Sequence, residues 1–482
     1  MGIMSTETTK KFDMKYFHYA VTAILIFGSQ FLPGIGPLTP KGCAVVGTFL
    51  GAIYGWTFLD MLWPSIIGMI GLGCAMGTDV VLGASFGNPI IPMLIIVLAM
   101  VTILTDNDLI NVIAKAFVTS RFTKGKPWLM VFALYVGSFF CALINPFVSM
   151  ILFMGIFLQI CNKAGIKPFS PFPAVMLLGL ALSVQIGKMV LPFIGTGLTL
   201  LGAYAMIQGS MPNFISFMAF MVPMGLMVVA LYVLICKFVF RIDVSGIKDV
   251  DPSIFGKKEK LNADQKKAVF FLILLIVVLL VPSLLPKEWG ISIFLNKITM
   301  FGQAALVVLL LMITKKKDGT PFFTFNSGAA NGISWDAVFM TSFILAVSMI
   351  MNSDETGIKP LLSMMIEPFK VLSPMVFLVV IMFIIGIMTN IANNMTLATI
   401  FLPLVLMVAG DMGMEPLAVA CILFLVTHLA LCTPGASAFA GLAFAQTTWV
   451  KPKTMMKYGF IAVVILIPLF LALAIPYALL IF

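Results

Sequence analysis

Stretches of about 20 apolar residues, parted by short polar links, recur from residue 16 to residue 482. This pattern constrains the fold more than any motif does. In hydrocarbon every backbone N–H and C=O must find its partner inside the protein, so only helices and closed barrels can cross. A barrel would show segments of about ten residues with alternating polarity, whereas these runs have the length of crossing helices. The chain is therefore expected to be an all-α polytopic membrane protein. At 61% hydrophobic and 10% charged residues, no soluble class competes.

Spanning or re-entrant segments are expected near 16–34, 41–58, 62–85, 88–105, 127–161, 172–207, 213–240, 268–286, 290–314, 335–352, 373–410, 416–446 and 454–482. Three of them, 127–161, 172–207 and 373–410, are too long for one straight crossing and require breaks, hairpins or a following helix. The net charge of +10 fits the positive-inside rule better than nucleic-acid binding, because the basic residues cluster in the links. Examples are Lys10, Lys11 and Lys15, then Arg121, Lys124 and Lys126, then Lys257, Lys258 and Lys260, then Lys315, Lys316 and Lys317. The N-terminus and the polar loop 241–267 are accordingly expected in the cytoplasm, with the chain in the inner (plasma) membrane. The first segment has no A-x-A-like cleavage site and reads as a retained helix. The seven cysteines lie in or beside apolar segments, without metal-ligand pairing, and read as packing residues.

The 241–267 loop divides the chain into halves with the same late order. In the first half FFCALINPFVSMILFM (139–154) leads to IGTGLTLLGAYA (194–205); in the second MTNIANNMTLATIFLP (388–403) leads to LCTPGASAFAGLA (431–443). Asn145 is paired here with Asn394, and Gly195-Thr196-Gly197 with Cys432-Thr433-Pro434. The Asn-to-Thr spacing is 51 residues in one half and 39 in the other, so the repeat is loose. Interrupted apolar segments at matching places in two halves point to the binding site of a secondary transporter. A helix that stops inside the bilayer leaves backbone groups that cost several kcal/mol each unless protein, water, an ion or a solute satisfies them. Its ends then offer N–H groups to an anion and C=O groups to a cation. Asn393 and Asn394 can satisfy the broken backbone and still present neutral ligands; the competing reading is polar glue between helices.

At these residues the chain resembles the divalent-anion/sodium symporter family, the INDY-type di- and tricarboxylate transporters. That family carries a Ser-Asn-Thr motif at the tip of a re-entrant hairpin in each half, and a small-residue stretch in each following broken helix. The matching residues are Ile144-Asn145-Pro146 and Asn393-Asn394-Met395, then Gly195-Thr196-Gly197-Leu198 and Cys432-Thr433-Pro434-Gly435. The resemblance implies two inverted repeats, each with a re-entrant hairpin and a broken helix, with about 11 transmembrane helices plus two hairpins in all. It also implies a homodimer in which scaffold helices (1–110 and 268–352) hold a transport unit (111–240 and 353–482) that slides as an elevator. The implied substrate contacts are Asn145, Pro146, Thr196, Gly197, Asn393, Asn394, Met395, Thr433 and Pro434, holding a small carboxylate. The implied second-half sodium site is Thr389, Ala392, Asn394 and Cys432, an all-oxygen set that suits a hard cation. The first-half site would need two serines where Phe140 and Ile144 stand, so it is expected to be lost, with only Asn145 and Gly195 kept. Pro146 and Met395 replace the family's paired threonines, which opens the way to a carboxylate other than succinate or citrate.

Two basic residues are candidates for coupling. Lys188 lies mid-segment in ALSVQIGKMVLPFIG, and a lysine at membrane depth costs roughly 2.5–3.5 kcal/mol on insertion scales. Its ammonium either supplies the charge that sodium supplies elsewhere, or contacts the substrate carboxylate, or snorkels into a vestibule. His428, five residues before Thr433, is a candidate proton carrier or a packing residue. Asp106 and Asp108 are expected to cap a helix end, and Asp354 to be the N-cap that opens the second hairpin beside Glu355. An intramembrane enzyme would call for H-E-x-x-H, G-x-S-x-G or a paired intramembrane Asp, and none stands out; no Walker motif is present either. The function expected is secondary transport of small organic anions, not catalysis, with a membrane enzyme and an anion channel as the alternatives.

Overall fold

The computed structural model describes residues 14–119, 123, 125–248, 260–286, 288–316, 318–367, 372–411 and 413–482. Among them the chain forms 21 α-helices, and strand pairing is confined to two isolated bridges, Ile35–Leu38 and Lys315–Pro321. Each of the three overlong segments breaks. The first hairpin has arms Pro127–Ala142 and Pro146–Lys163, and the second has arms Pro374–Met388 and Asn394–Asp411. The first broken helix has halves Pro171–Gly187 and Gly195–Gln208; its counterpart has Pro416–Thr427 and Ala438–Phe444. A long helix follows each broken one, Phe214–Leu234 and Pro452–Ile481. The late order is thus the same in both halves.

Five helices are long and apolar enough to cross a membrane alone, or up to seven if each of two bent pairs counts as one crossing. The bent pairs are Ile90–Asp106 with Leu109–Phe117, at 62°, and Phe325–Gly332 with Trp335–Met351, at 79°. Most arms and half-helices are shorter apolar pieces, which is why they must work in pairs.

Burial grades inward to the broken helices. Every residue from Phe172 to Gly187 is buried, and so is every residue from Leu417 to Thr427. A helix apolar on all sides belongs in such an interior. By contrast, Ala263–Leu284 and Gly290–Met312 leave large apolar side chains exposed, among them Phe270, Leu284, Phe294 and Leu309. The innermost elements are therefore the interrupted ones. Two phenols fasten the neighbours onto the first: Tyr135 donates to the Met176 carbonyl at 3.1 Å and Tyr232 to the Val175 carbonyl at 2.8 Å.

Several local expectations are corrected. The 62–85 segment divides at Gly77, whose φ of 98° suits only glycine. The polar loop is shorter than 241–267, because a capping box between Asn262 and Gln265 starts a helix at Ala263; residues 249–259 lie outside the described residues. Asp354 is not an N-cap. Ser353 takes that role, accepting from the Glu355 N–H at 3.3 Å, while Asp354 pairs with Lys359 at 3.1 Å, and the second hairpin begins later, at Pro374. Glu355 pairs with Lys41 at 2.6 Å, and the Thr39 hydroxyl donates to the Glu355 carbonyl at 2.7 Å, so this turn joins the two halves. Asp108 does sit at a helix start, with φ 56°, but its carboxylate accepts from the Asn111 side-chain amide and caps no backbone N–H.

Candidate functional site

The site is built from the two interruptions. In the first, the helix ends at Gly187 with Lys188 as its C-cap, and Pro192 removes a donor from the link. The chain turns at Gly195 with φ 48°. Gly197 then sits so close to the Leu191 and Met189 carbonyls that a side chain there would strike them, the Met189 oxygen at 2.8 Å. In the second, the helix ends at Thr427 with His428 as its C-cap, and Ser437 caps the next half by accepting from the Ala440 N–H at 3.1 Å. Both first halves thus end beside a nitrogen base; the Lys188 ammonium has the sign that complements a helix C-terminus.

The hairpin tips fill the space around these ends. Asn145 is the N-cap of the first hairpin's second arm, its Oδ1 accepting from the Phe147 and Val148 N–H groups at 3.1 Å each. Pro146 occupies the first helical position, where a missing donor costs nothing. In the second hairpin the equivalent cap is Asn393, whose Oδ1 accepts from Met395 at 3.0 Å and Thr396 at 3.4 Å. The counterpart of Asn145 is therefore Asn393 and not Asn394, and Met395 is the counterpart of Phe147. Asn394 instead reaches across: its amide donates to the Gln185 side chain at 3.0 Å, and Gln185 donates to the Ala430 carbonyl at 2.9 Å. One amide chain therefore links the second hairpin, the first broken helix and the second interruption.

Asn390 satisfies the second interruption. Its Oδ1 accepts from the Leu431 N–H at 2.7 Å and the Cys432 N–H at 2.9 Å; its amide donates to the Gly386 carbonyl at 2.8 Å and the Leu429 carbonyl at 3.1 Å. Thr433 donates to the Asn390 carbonyl at 2.8 Å, so its hydroxyl proton is already used. Thr196 is half-buried and, among the described residues, its hydroxyl has no partner. Pro434 is exposed and Met395 is buried.

Lys188 is half-buried, and its Nζ lies 5.1 Å from the centre of the Phe439 ring, a cation–π distance. Among the described residues it pairs with no carboxylate. Phe439 is buried and contacts Phe147 at a ring distance of 5.1 Å, while Phe147 is 53% exposed. The arrangement is reciprocal. The first hairpin's tip touches the second half's broken helix through Phe147 and Phe439, and the second hairpin's tip touches the first half's through Asn394 and Gln185. His428 Nδ1 lies 2.8 Å from the Phe424 carbonyl, which makes Nδ1 the protonated nitrogen, and its buried Nε2 lone pair has no partner among the described residues.

The expected sodium ligands fit an alkali cation in donor chemistry. The Thr389 hydroxyl donates to the Thr427 carbonyl at 2.5 Å, and Asn394 Oδ1 accepts from the Met395 N–H at 2.9 Å, so each oxygen keeps a lone pair. Among the described residues no hydrogen bond reaches the carbonyls of Ala392 or Cys432. The first hairpin's turn, Leu143-Ile144-Asn145, offers no hydroxyl in the place of the family's serines.

Gln185, Phe147 and Phe439 were not picked out by sequence reasoning, and Asn390, one of the amides in MTNIANNMTLATIFLP (388–403), was given no role of its own. Gln185 could have been picked out, as the one amide side chain in the buried run Phe172–Gly187.

A helical membrane protein whose two innermost helices are both interrupted, each closed by a polar-tipped hairpin, has the build of a secondary transporter. Residues 49–424 match the citrate transporter (CitMHS) family. The chain belongs to that family, within the ion transporter superfamily of the divalent anion/sodium symporter type. It is therefore a carboxylate transporter in general terms. No individual curated protein matches it.

Proposed function

We propose that this protein carries citrate, or a closely related di- or tricarboxylate, through a pocket between the two interruptions and the two hairpin tips. What carries this reading is the Lys188 ammonium, which stands at a helix break against an aromatic ring with no carboxylate partner among the described residues. A substrate carboxylate would supply the missing charge, and charge-assisted hydrogen bonds are the stronger kind. Asn145, Asn393, Asn394, Thr196 and the backbone around Gly197 and Pro434 would complete the pocket, with Met395 as an apolar wall.

In this reading the first sodium ion is replaced by Lys188, and a cation at Thr389, Ala392, Asn394 and Cys432 remains available for symport. Proton entry at His428 Nε2 is the alternative source of coupling. The hairpins and broken helices (111–240 and 353–482) move as an elevator against scaffold helices (1–110 and 268–352). The working unit is a homodimer in the plasma membrane, with the N-terminus in the cytoplasm.

The test is uptake by proteoliposomes of labelled citrate and a panel of dicarboxylates, with sodium replaced by choline at two pH values. Gradient-dependent accumulation of intact citrate supports the proposal. Conversion of citrate to a product, or normal uptake with unchanged ion dependence by Lys188→Ala, contradicts it.

A further inference from the structure

Away from this site, a cavity of about 450 Å³ opens beside the first-half turn at 205–214. Its other walls are the start of Ile90–Asp106, the end of Ala263–Leu284 and the middle of Gly290–Met312. Its volume is that of a small-molecule site. Asn88, Ser210, Ser283, Asn296, Thr299 and Gln303 supply its polar lining. At Thr299 the helix is kinked and the backbone takes φ 60° and ψ 176°, a region that a β-branched residue adopts only under constraint. One turn on, Gln303 is 3% exposed. Its amide nitrogen donates across the kink to the Leu295 carbonyl at 2.9 Å, and its Oε1 is buried with no hydrogen-bond partner among the described residues.

A buried amide oxygen without a donor is a standing cost, and it marks a place where something else supplies the donor. Among the described residues no ionisable side chain lines the cavity, so none of them would offer a charged ligand a counter-charge in place of its lost hydration. Interleaved with these polar side chains are the apolar Met206, Phe214 and Leu279, and the Asn88 amide donates to the Met206 sulfur at 3.8 Å. The two helices that close the cavity also carry exposed apolar side chains, including Leu284, Ile291 and Phe294, and so offer an apolar surface beside it. We propose that the cavity binds the head of a neutral, hydroxyl-bearing amphiphile. One hydroxyl donates to Gln303 Oε1, and the alkyl chain lies against Met206, Phe214 and Leu279.

Native mass spectrometry of the full-length protein, released from a detergent without hydroxyl groups, tests this. The probes are an alkyl maltoside, a methyl-capped polyoxyethylene ether of the same chain length, which has no donor, and free maltose. The maltoside should be retained and the ether lost. Gln303→Met should weaken maltoside retention by roughly threefold to tenfold, as for one neutral hydrogen bond. Met300→Trp, which fills the cavity and keeps Gln303, should abolish it in protein that remains folded. Free maltose held as tightly as the maltoside would support the hydroxyl site but assign it to a soluble polyol. Equal retention of ether and maltoside, no retention of either sugar probe, or indifference to both substitutions would overturn the proposal.

Discussion

Replacing Asn390 with leucine, a side chain of similar size, removes the amide that holds the second interruption together. The Leu431 and Cys432 N–H groups lose their acceptor in a buried setting, and the Gly386 and Leu429 carbonyls lose a donor. Each orphaned buried donor costs about 1–3 kcal/mol, so the two N–H groups alone cost about 2–6 kcal/mol. That is a large part of the about 5–15 kcal/mol that separates folded from unfolded states in ordinary domains. The thermal unfolding midpoint of purified protein in detergent should therefore fall on the order of 5–10 °C. Asn393→Leu removes a single cap and should fall by less, at about 0.5–2 kcal/mol. If Asn390→Leu unfolded within about 1 °C of the native protein and transported normally, the interruption would not depend on this amide and the construction of the site would be wrong.

Gly197→Ala puts a methyl group against the Leu191 and Met189 carbonyls and should abolish uptake in protein that still reaches the membrane, measured by transport normalised to surface protein. A double-mutant cycle of Gln185→Leu and Asn394→Leu should show coupling of about 0.5–1.5 kcal/mol in unfolding, the worth of one neutral hydrogen bond, and additivity would deny that the crosswise contact matters. Lys41→Ala breaks a pair whose side chains are both more than half exposed, so stability should change by less than about 1 kcal/mol and uptake should not change.

Much of this architecture was legible because membrane thickness is a ruler. The segments 127–161, 172–207 and 373–410 are too long for one crossing, and the chain breaks inside each, at 143–145, 188–194 and 389–393. That Lys188 and His428 cap matching helix ends was not legible, since the sequence placed Lys188 only mid-segment and His428 only five residues before Thr433. Nor was the choice between Asn393 and Asn394, since adjacent amides carry identical composition and only the cap geometry separates their roles. Gln185 and Asn390 were hidden for a different reason. Their partners lie far along the chain, 209 residues for Gln185 with Asn394 and 41 for Asn390 with Leu431, and no local period encodes such contacts. The Phe439 ring under Lys188 was hidden in the same way. The helix Phe325–Gly332 was missed because FNSGAANG is short and weakly apolar, so its helix depends on packing against Ile90–Asp106.

Equilibrium binding of labelled citrate to purified protein, compared between the native chain and Lys188→Met at constant ionic strength, bears most directly on the pocket. A charge-assisted contact worth about 1.5–3 kcal/mol means that the methionine variant binds roughly ten- to a hundredfold more weakly, with Lys188→Arg retaining part of the affinity. Equal citrate affinity in the native and methionine proteins would mean that the lysine at the helix break does not face the substrate.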